Sequence, residues 1–315
     1  MDLERGAETV LSQCMDLKHG ETVLVLNDGN DEHIVESLLS VAREEASIVA
    51  LKQYDEPERH GEEPPEEIAE AMKDFDLVVA PTRKSISHTS ARKEACEEGA
   101  RIATMPAINQ EIWSTSLQAD YSRVGEISGK LYSLLKDTER VRVTTPSGTD
   151  LKFSINVEYF DTDTGLIHEP GDFGNLPAGE VDGAITDAEG VLVIDHFPYA
   201  PEGTEVEIKG NEAVAVRQGE ESELSKAFED VEGSRKVAEF GIGTNPEATL
   251  IGKVLQDEKV LGTVHFAFGD NTSYVDGDES NECSIHWDTV CEDPTVFFDG
   301  EKVLDSGEPV FLVEQ

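Results

Sequence analysis

The sequence predicts an α/β domain with a parallel sheet, followed by a β-rich α+β domain. In residues 1–118, short apolar runs alternate with stretches of helical periodicity. Strands separated by helices imply right-handed crossovers, and therefore a parallel sheet with helices on both faces. After Val141 the apolar runs follow one another with turn residues between them, which is typical of antiparallel strands. We place the boundary between residues 118 and 119, so that the second domain covers residues 119–315.

The first domain is Rossmann-like in its alternation of elements. The predicted strands are Thr22–Leu26, Ser47–Leu51, Leu77–Pro81 and Arg101–Thr104, and the predicted helices are His33–Glu45, Glu66–Lys73 and Thr89–Glu98. The turn at Gly29 lacks the Gly-x-Gly-x-x-Gly pattern, and the sequence contains no lysine-bearing phosphate loop, so it indicates no nucleotide site. A helix over about Asp120–Leu135 links the two domains.

The second domain is predicted to consist mainly of strands and tight turns. Thr144–Asp150 is a turn between two β-prone runs, and Asp299-Gly300 marks another hairpin. The predicted strands are Arg140–Thr144, Leu151–Ile155, Gly190–Ile194, Glu205–Ile208, Ala213–Arg217, Cys283–Asp288, Thr295–Phe298 and Pro309–Val313. Helical patterns are confined to about Ser222–Phe228 and Pro246–Gly252.

The charge of the chain is strongly negative and spread along its whole length. Sixty-seven acidic residues oppose 25 basic ones, which gives a net charge of −42 and a pI near 4.3. Because 38% of the residues are hydrophobic, the acids indicate the solvated surface of a folded protein and not a disordered tail. Such a surface is typical of proteins from halophilic archaea, where molar salt screens the repulsion between charges.

The sequence also excludes several classes of partner. It contains no basic patch that could neutralise phosphates, so we expect no nucleic-acid partner. No apolar run reaches the roughly 18 residues that a membrane span needs. The N-terminal residues Met1–Arg5 show neither the basic nor the apolar region of a secretory signal. We therefore expect a cytoplasmic protein that acts on a small molecule or a small peptide.

Four residues of the second domain offer the donor atoms of a catalytic metal site. Glu239, His265, His286 and Asp288 supply two carboxylates and two imidazoles within one stretch of chain. These are the ligands that Zn, Co, Mn and Fe take in catalytic sites. His286 and Asp288 are two residues apart, so on a strand both point to one face while Trp287 packs behind them.

The order of several segments resembles one family of enzymes. The segments are Asn175–Val181, Glu239–Asn245, Gly262–Asn271 and His286–Asp288, preceded by Ser85–Thr89 and Gly99–Pro106 in the first domain. In this order they resemble the aminopeptidase T and aminopeptidase S metallopeptidases and their sister branch, the 2,5-dihydroxypyridine 5,6-dioxygenases. The resemblance covers nearly the whole chain. It implies that Glu180, Glu239, His265, His286 and Asp288 are metal ligands or their immediate neighbours, and that Glu180 and His88 are catalytic.

The resemblance implies two chemistries that use nearly the same residues. In the first, which we favour on the sequence alone, divalent ions such as Zn, Co or Mn activate a hydroxide that hydrolyses the N-terminal peptide bond, as in a metalloaminopeptidase. In the alternative, Glu239, His286 and Asp288 hold Fe(II) for the cleavage of a dihydroxylated, pyridine-like ring by O₂, and His88 shuttles a proton. The family also implies a homodimer. A third hypothesis is a binding module that has kept the fold.

One departure from the peptidase pattern concerns a tyrosine. The peptidase branch carries a tyrosine a few residues after the segment that reads His265–Gly269 in this chain. Here the nearest one, Tyr274, is displaced and follows Gly-Asp-Asn, which is closer to the dioxygenase branch. The difference argues against peptide hydrolysis and does not affect the predicted metal ligands.

We predict that folding and activity need roughly molar KCl or NaCl. At about 1 M salt the Debye length is about 3 Å, against about 10 Å at 0.1 M, so the repulsion among surface carboxylates is screened. Thermal melts followed by circular dichroism should give a melting temperature that rises with salt. Equal stability in dilute buffer and in high salt would contradict this interpretation of the composition.

Overall fold

The computed structural model describes residues 3–313 and divides into two compact units. The first comprises Met1–Gly125 and Thr164–Ala178, and the second comprises Glu126–Asp163 and Gly179–Gln315. The sequence pattern predicts a single boundary at 118/119, whereas the contacts group the segment 164–178 with the first unit. The physical reason is that Phe173–Asn175 pairs as a strand in the sheet of the first unit.

The helices and strands alternate in the first unit, and strands dominate the second. The helices are α1 (Leu3–Glu8), α2 (Glu32–Glu45), α3 (Glu66–Lys73), α4 (Ser90–Glu97), α5 (Gln110–Ser114), α6 (Tyr121–Leu135), α7 (Glu223–Asp230) and α8 (Val254–Asp257), with a π-helical turn at Thr9–Cys14. The strands are β1 (Thr22–Asn27), β2 (Ile48–Gln53), β3 (Leu77–Ala80), β4 (Arg101–Thr104), β5 (Arg140–Thr144), β6 (Asp150–Asp163), β7 (Phe173–Asn175), β8 (Glu180–Ile194), β9 (Thr204–Lys209), β10 (Glu212–Arg217), β11 (Val237–Gly243), β12 (Val264–Gly269), β13 (His286–Cys291), β14 (Thr295–Phe298), β15 (Glu301–Asp305) and β16 (Glu308–Pro309).

The first unit is built on a five-stranded parallel sheet with the order β2-β1-β3-β4-β7. Strands β1, β3 and β4 are almost entirely buried, as parallel strands covered on both faces require. Helix α2 begins after Asp31, whose side chain accepts a hydrogen bond from the His33 amide, and α4 begins after Thr89, which accepts one from the Arg92 amide. The predicted α/β domain with a parallel sheet is confirmed.

The second unit is built on an 11-stranded sheet. Its main path is β13-β12-β11-β8-β6-β5-β14-β15-β16, and the β9–β10 pair is attached at β8. Every pairing among its described strands is antiparallel. The hairpins predicted at Thr144–Asp150 and Asp299-Gly300 are present as β5–β6 and β14–β15. The prediction of a β-rich second domain is therefore confirmed.

An aromatic cluster fixes the strands that carry the candidate site. The Phe153 ring on β6 lies 4.8 Å from the Phe240 ring on β11 and 5.8 Å from the Phe266 ring on β12, measured between centroids. All three side chains are fully buried. Successive residues of a strand point to opposite faces, so Glu239 and His265, which precede Phe240 and Phe266, are directed away from this cluster.

Three sequence-based elements of the second unit differ from the structure. The helix expected over Pro246–Gly252 is a turn, in which the Asn245 side chain accepts a hydrogen bond from the Glu247 amide. The strand expected over Pro309–Val313 stops at Pro309, which has no amide hydrogen to continue the ladder, and a 3₁₀ turn follows. The strand expected from Cys283 begins only at His286, because the Cys283 amide donates to the Asp270 side chain instead.

Within residues 3–313, no helix combines the length and the apolar character needed to cross a membrane.

Candidate metal centre

Strands β8, β11 and β12 bring an imidazole and a carboxylate to one face of the sheet. His265 on β12 pairs with Gly241 on β11, which in turn pairs with Asp182 on β8. Directly paired residues point to the same face. A Cβ at Gly241 would lie 2.1 Å from His265 Nε2, so only glycine leaves the room that the imidazole fills.

The next row of the same ladder adds two carboxylates. Asp288 on β13 pairs with Ala267 on β12, which pairs with Glu239 on β11. Glu239 and Gly241 are two residues apart, so the two rows lie on one face. His286 precedes Asp288 by two residues on β13 and shares that face, as its spacing predicts.

Glu239 links both histidines of the cluster to Tyr274. Its Oε1 lies 3.0 Å from His265 Nε2. Its Oε2 lies 2.9 Å from His286 Nε2 and 2.8 Å from the Tyr274 hydroxyl. The same hydroxyl lies 2.7 Å from Asp182 Oδ2, and its single proton can be donated to only one of the two carboxylates at a time. Although Tyr274 is displaced in the sequence, its side chain therefore reaches the cluster.

A buried lysine contacts two further carboxylates. The Lys259 ammonium donates to Glu180 Oε1, and it lies 2.7 Å from Glu258 Oε1. Glu180 is the first residue of β8, and its other oxygen, Oε2, lies 3.6 Å from His265 Nε2. Since the side chains of Lys259 and Glu180 are only 5% and 9% exposed, water screens this ion pair weakly.

Three polar atoms of the cluster are buried and lack a hydrogen-bond partner among the described residues: Glu180 Oε2, His265 Nδ1 and Asp288 Oδ1. Leaving such atoms unpaired is costly, so they favour an additional ligand. Glu239, His265 and Asp288, hereafter the donor group, each offer one donor atom, and these atoms all lie within 4.8 Å of one another. A single ion can contact all three, and carboxylate and imidazole donors suit Zn, Mn, Co and Fe.

The backbone orients His286 at the edge of the cluster. Its Nδ1 donates to the Asp270 carbonyl at 2.7 Å, which leaves Nε2 close to Glu239 and 3.4 Å from Asp288 Oδ1. Metal-binding histidines are commonly fixed in one tautomer by such a second hydrogen bond. The side chain is 35% exposed, against 17% for Asp288, so solvent reaches the cluster mainly at this imidazole.

Burial and mutual charge shift the protonation of these groups. Desolvation, together with the Glu239 charge, raises the pKa of Asp182 to about 7. Burial lowers the pKa of His265, but the hydrogen bond to Glu239 and the Glu180 charge outweigh it and raise that pKa to about 10. For Glu239, burial by itself would raise the pKa. Its hydrogen bonds to His265 and His286 outweigh the effect of burial and lower the pKa of Glu239. In the metal-free protein, a protonated His265 therefore balances an ionised Glu239 at neutral pH.

The opposite face of β13 packs in an aromatic cluster. The Trp287 ring stacks on Tyr199 with centroids 4.5 Å apart and lies 5.8 Å from the Phe197 ring. Trp287 thus packs behind His286 and Asp288, as the alternation of side chains along a strand predicts.

The structure brings the five residues predicted as metal ligands into one cluster: Glu180, Glu239, His265, His286 and Asp288. The catalytic role of Glu180 and the individual ligand roles stay predictions. His88 lies in the first unit, in the turn before the Thr89 cap of α4, and its predicted catalytic role also stays a prediction.

Sequence reasoning missed Asp182, Glu258 and Lys259. Asp182 follows Glu180 by two residues on β8, so the alternation that paired His286 with Asp288 could have found it. Glu258 and Lys259 lie in the turn after α8, where no periodicity marks a buried position, and only the folded chain reveals their place.

Comparisons with known proteins place the chain in a family. The model of the 2,5-dihydroxypyridine 5,6-dioxygenase family matches residues 2–311, so the chain belongs to that family. A search of curated proteins finds no match. The chain is similar to 2,5-dihydroxypyridine dioxygenase from Pseudomonas putida KT2440, with a TM-score of 0.78 and 20% identity over 98% of this chain and 96% of that one.

A second solved structure shares the fold. Aminopeptidase T (AmpT) from Thermus thermophilus is similar with a TM-score of 0.71 and 20% identity, over 98% of this chain and 99% of that one. The predicted resemblance to the aminopeptidase T-like enzymes and their dioxygenase branch is confirmed. The family accordingly indicates an enzyme, and the chain has a cluster that can hold a metal ion.

We predict that Gly241→Ala weakens metal binding about tenfold or more while the fold is retained. The added methyl group would collide with the His265 ring, and disturbing the support of a ligand typically costs about 10–100-fold in affinity. Competition between the protein and a chelating dye for Zn(II) measures the effect. Gly129→Ala is the matched control, because a Cβ there meets nothing within 4 Å. Unchanged affinity in Gly241→Ala would argue against His265 as a ligand.

We also predict that metal binding releases protons and strengthens as the pH rises. Because the pKa of His265 is raised to about 10, its imidazole is protonated at neutral pH and must lose that proton to bind a metal. Calorimetric titrations at about pH 7, in two buffers with different ionisation enthalpies, should show release of about one proton or more per ion. The apparent affinity should increase towards about pH 9. Binding without proton release would contradict coordination by His265.

Proposed function

We propose that the protein is a mononuclear Fe(II) dioxygenase that opens a dihydroxylated aromatic ring of the 2,5-dihydroxypyridine kind. The observation that carries this proposal is the family match over residues 2–311, which favours one of the two chemistries that the sequence implies. The geometry supports it, because His265 and Asp288 of the donor group can contact a single ion, and His286 Nε2 lies 3.4 Å from Asp288 Oδ1.

Two imidazoles and a carboxylate would hold the ion. His265, His286 and Asp288 together match the two-histidine, one-carboxylate donor set of non-haem Fe(II) oxygenases, and Glu239 contacts both histidines. In this arrangement His265, which is 1% exposed, takes the place that Glu239 holds in the set expected from the sequence. Bound Fe(II) would supply redox chemistry and open coordination positions for the ring and O₂.

Asp182 and Tyr274 are suited to move the proton of a ring hydroxyl. A carboxylate beside the substrate can take such a proton, and Asp182 is a buried carboxylate in the same cluster. The Tyr274 hydroxyl lies 2.7 Å from Asp182 Oδ2 and 2.8 Å from Glu239 Oε2. It can therefore pass a proton between these two carboxylates.

Aminopeptidase activity, the first choice on the sequence alone, is the second candidate. What favours it is the number of acids, since Glu180, Asp182 and Glu239 are all buried in the cluster and could hold a second ion or a substrate α-amine. The fold shared with AmpT is compatible with either chemistry. The family match favours the dioxygenase.

The two activities are separated by assaying one preparation for both. Protein purified anaerobically in molar KCl is reconstituted with Fe(II), Mn(II), Co(II) or Zn(II). We expect O₂ uptake in step with loss of 2,5-dihydroxypyridine absorbance, with Fe(II) only, and no release of p-nitroaniline from amino-acid p-nitroanilides. Hydrolysis of the anilides that is indifferent to O₂ would refute the proposal and support the aminopeptidase.

Variants connect the activity to the cluster. Glu239→Gln, His286→Ala and Asp288→Asn should each reduce turnover by about 100-fold or more and lower iron content, because each removes a ligand or the contact that orients one. Glu301→Gln is the control, since Glu301 is an exposed glutamate on β15. Normal iron content and turnover in any two of the three variants would rule out the assigned site.

The homodimer and the cytoplasmic location expected from the sequence are retained as part of the proposal. We propose a small aromatic substrate as the partner of this protein. We propose neither a nucleic-acid partner nor association with a membrane.

A further inference from the structure

Lys259 is a buried cation in a cluster made largely of acids. The residue is 4% exposed. Its ammonium contacts the carboxylates of Glu180 and Glu258, and Asp163 at the end of β6 adds a third negative charge to its surroundings. The same ammonium acts electrostatically on Asp182. All four of these carboxylates lie outside the donor group.

The backbone holds this lysine against the strand that carries Glu239. The Asn245 amide donates to the Lys259 carbonyl at 2.9 Å, and the Lys259 amide donates to the Gln256 carbonyl at 3.0 Å. Gly243 on β11 allows the approach, because a Cβ there would lie 2.7 Å from the Lys259 carbonyl carbon. These contacts set the backbone position of Lys259, and Glu180 and Glu258 hold its ammonium.

We propose that the Lys259 ammonium takes the place of a second metal ion and thereby makes the site mononuclear. Without it, Glu180 and Glu258 would form an acidic pocket beside the donor group. Two-metal sites use such an arrangement, with carboxylates holding ions about 3.5–4 Å apart. With the lysine present, Glu180 Oε1 is already occupied, and a divalent ion there would lie against a fixed positive charge.

This inference rests on the proposed function, in which one Fe(II) ion is bound, and it names the residue that sets the ion count. On a fold that also serves an aminopeptidase, the presence of a fixed cation at Glu180 would favour one-ion chemistry over hydrolysis with two ions. Lys259 would act through the metal and the carboxylates, so it is a positioning residue.

The test is to count metal ions in Lys259→Met, which keeps the length of the side chain and removes its charge. Wild type, Lys259→Met and Lys259→Arg are dialysed against Mn(II) in molar KCl, and bound metal is measured per chain. We expect one ion in wild type and in Lys259→Arg, and two in Lys259→Met. Lys302→Met, at an exposed lysine on β15, is the control and should bind one.

Electron paramagnetic resonance gives a second readout that does not depend on activity. Wild type should show the resolved hyperfine pattern of an isolated Mn(II), and Lys259→Met the broadened spectrum of a coupled pair. Two ions in wild type, or one ion in folded Lys259→Met, would overturn the inference. If Lys259→Met does not fold, Lys259→Met/Glu258→Gln takes its place and should also bind two ions, because Glu180 is free in it. One ion in that variant would equally overturn the inference.

Ion counting needs no turnover, so the two proposals fail separately. A change from one to two ions without any O₂-dependent ring cleavage would refute the dioxygenase and leave the role of Lys259 standing. Ring cleavage by a wild type that holds one ion, together with one ion in Lys259→Met, would support the dioxygenase and refute the role of Lys259.

Discussion

The structure of the second unit depends on balancing the charge of carboxylates that are buried on one face of its antiparallel sheet. Glu180, Asp182 and Glu239 are each less than 10% exposed, and they lie on adjacent strands. Buried carboxylates on neighbouring strands cannot all be ionised in a dry interior without cations beside them. His265 and Lys259 supply that charge in the metal-free protein, and a bound metal ion would supply more. Gly241 leaves room for the His265 ring, and Gly243 lets the backbone of Lys259 approach β11.

The abundant negative charge of the chain therefore acts in two separate ways. Most of the 67 acidic residues are spread along the chain, where dissolved salt can screen them at the surface. The acids of the cluster are shielded from dissolved salt, so cations held by the fold or a bound metal ion must balance them. Salt concentration should alter the stability of the whole chain far more than the internal balance of the site. The distinction explains why composition indicates the solvent, whereas the chemistry has to be inferred from a handful of buried side chains.

Local patterns predicted the fold well wherever one periodicity dominated. The bounds of α3 and β4 match those expected, because a short amphipathic run and a short buried run need no tertiary information. The pairing of His286 with Asp288 on one face was predictable for the same reason. Pro246–Gly252 was misassigned as a helix, since its residues are compatible with one and only the Asn245 side chain fixes the turn. Lys259 was not predictable, because a lysine in a turn is ordinarily solvated and its burial comes from long-range packing.

The placement of Trp287 has a consequence for spectroscopy. The chain contains two tryptophans, and the other, Trp113, lies in the first unit with its indole nitrogen donating to the Leu3 carbonyl. Trp287 sits between His286 and Asp288, on the opposite face of β13. A redox-active or paramagnetic ion held by those neighbours would quench its emission, whereas a closed-shell ion such as Zn(II) would not. The protein thus carries an intrinsic optical reporter, through which the kind of metal bound can be followed without an added dye.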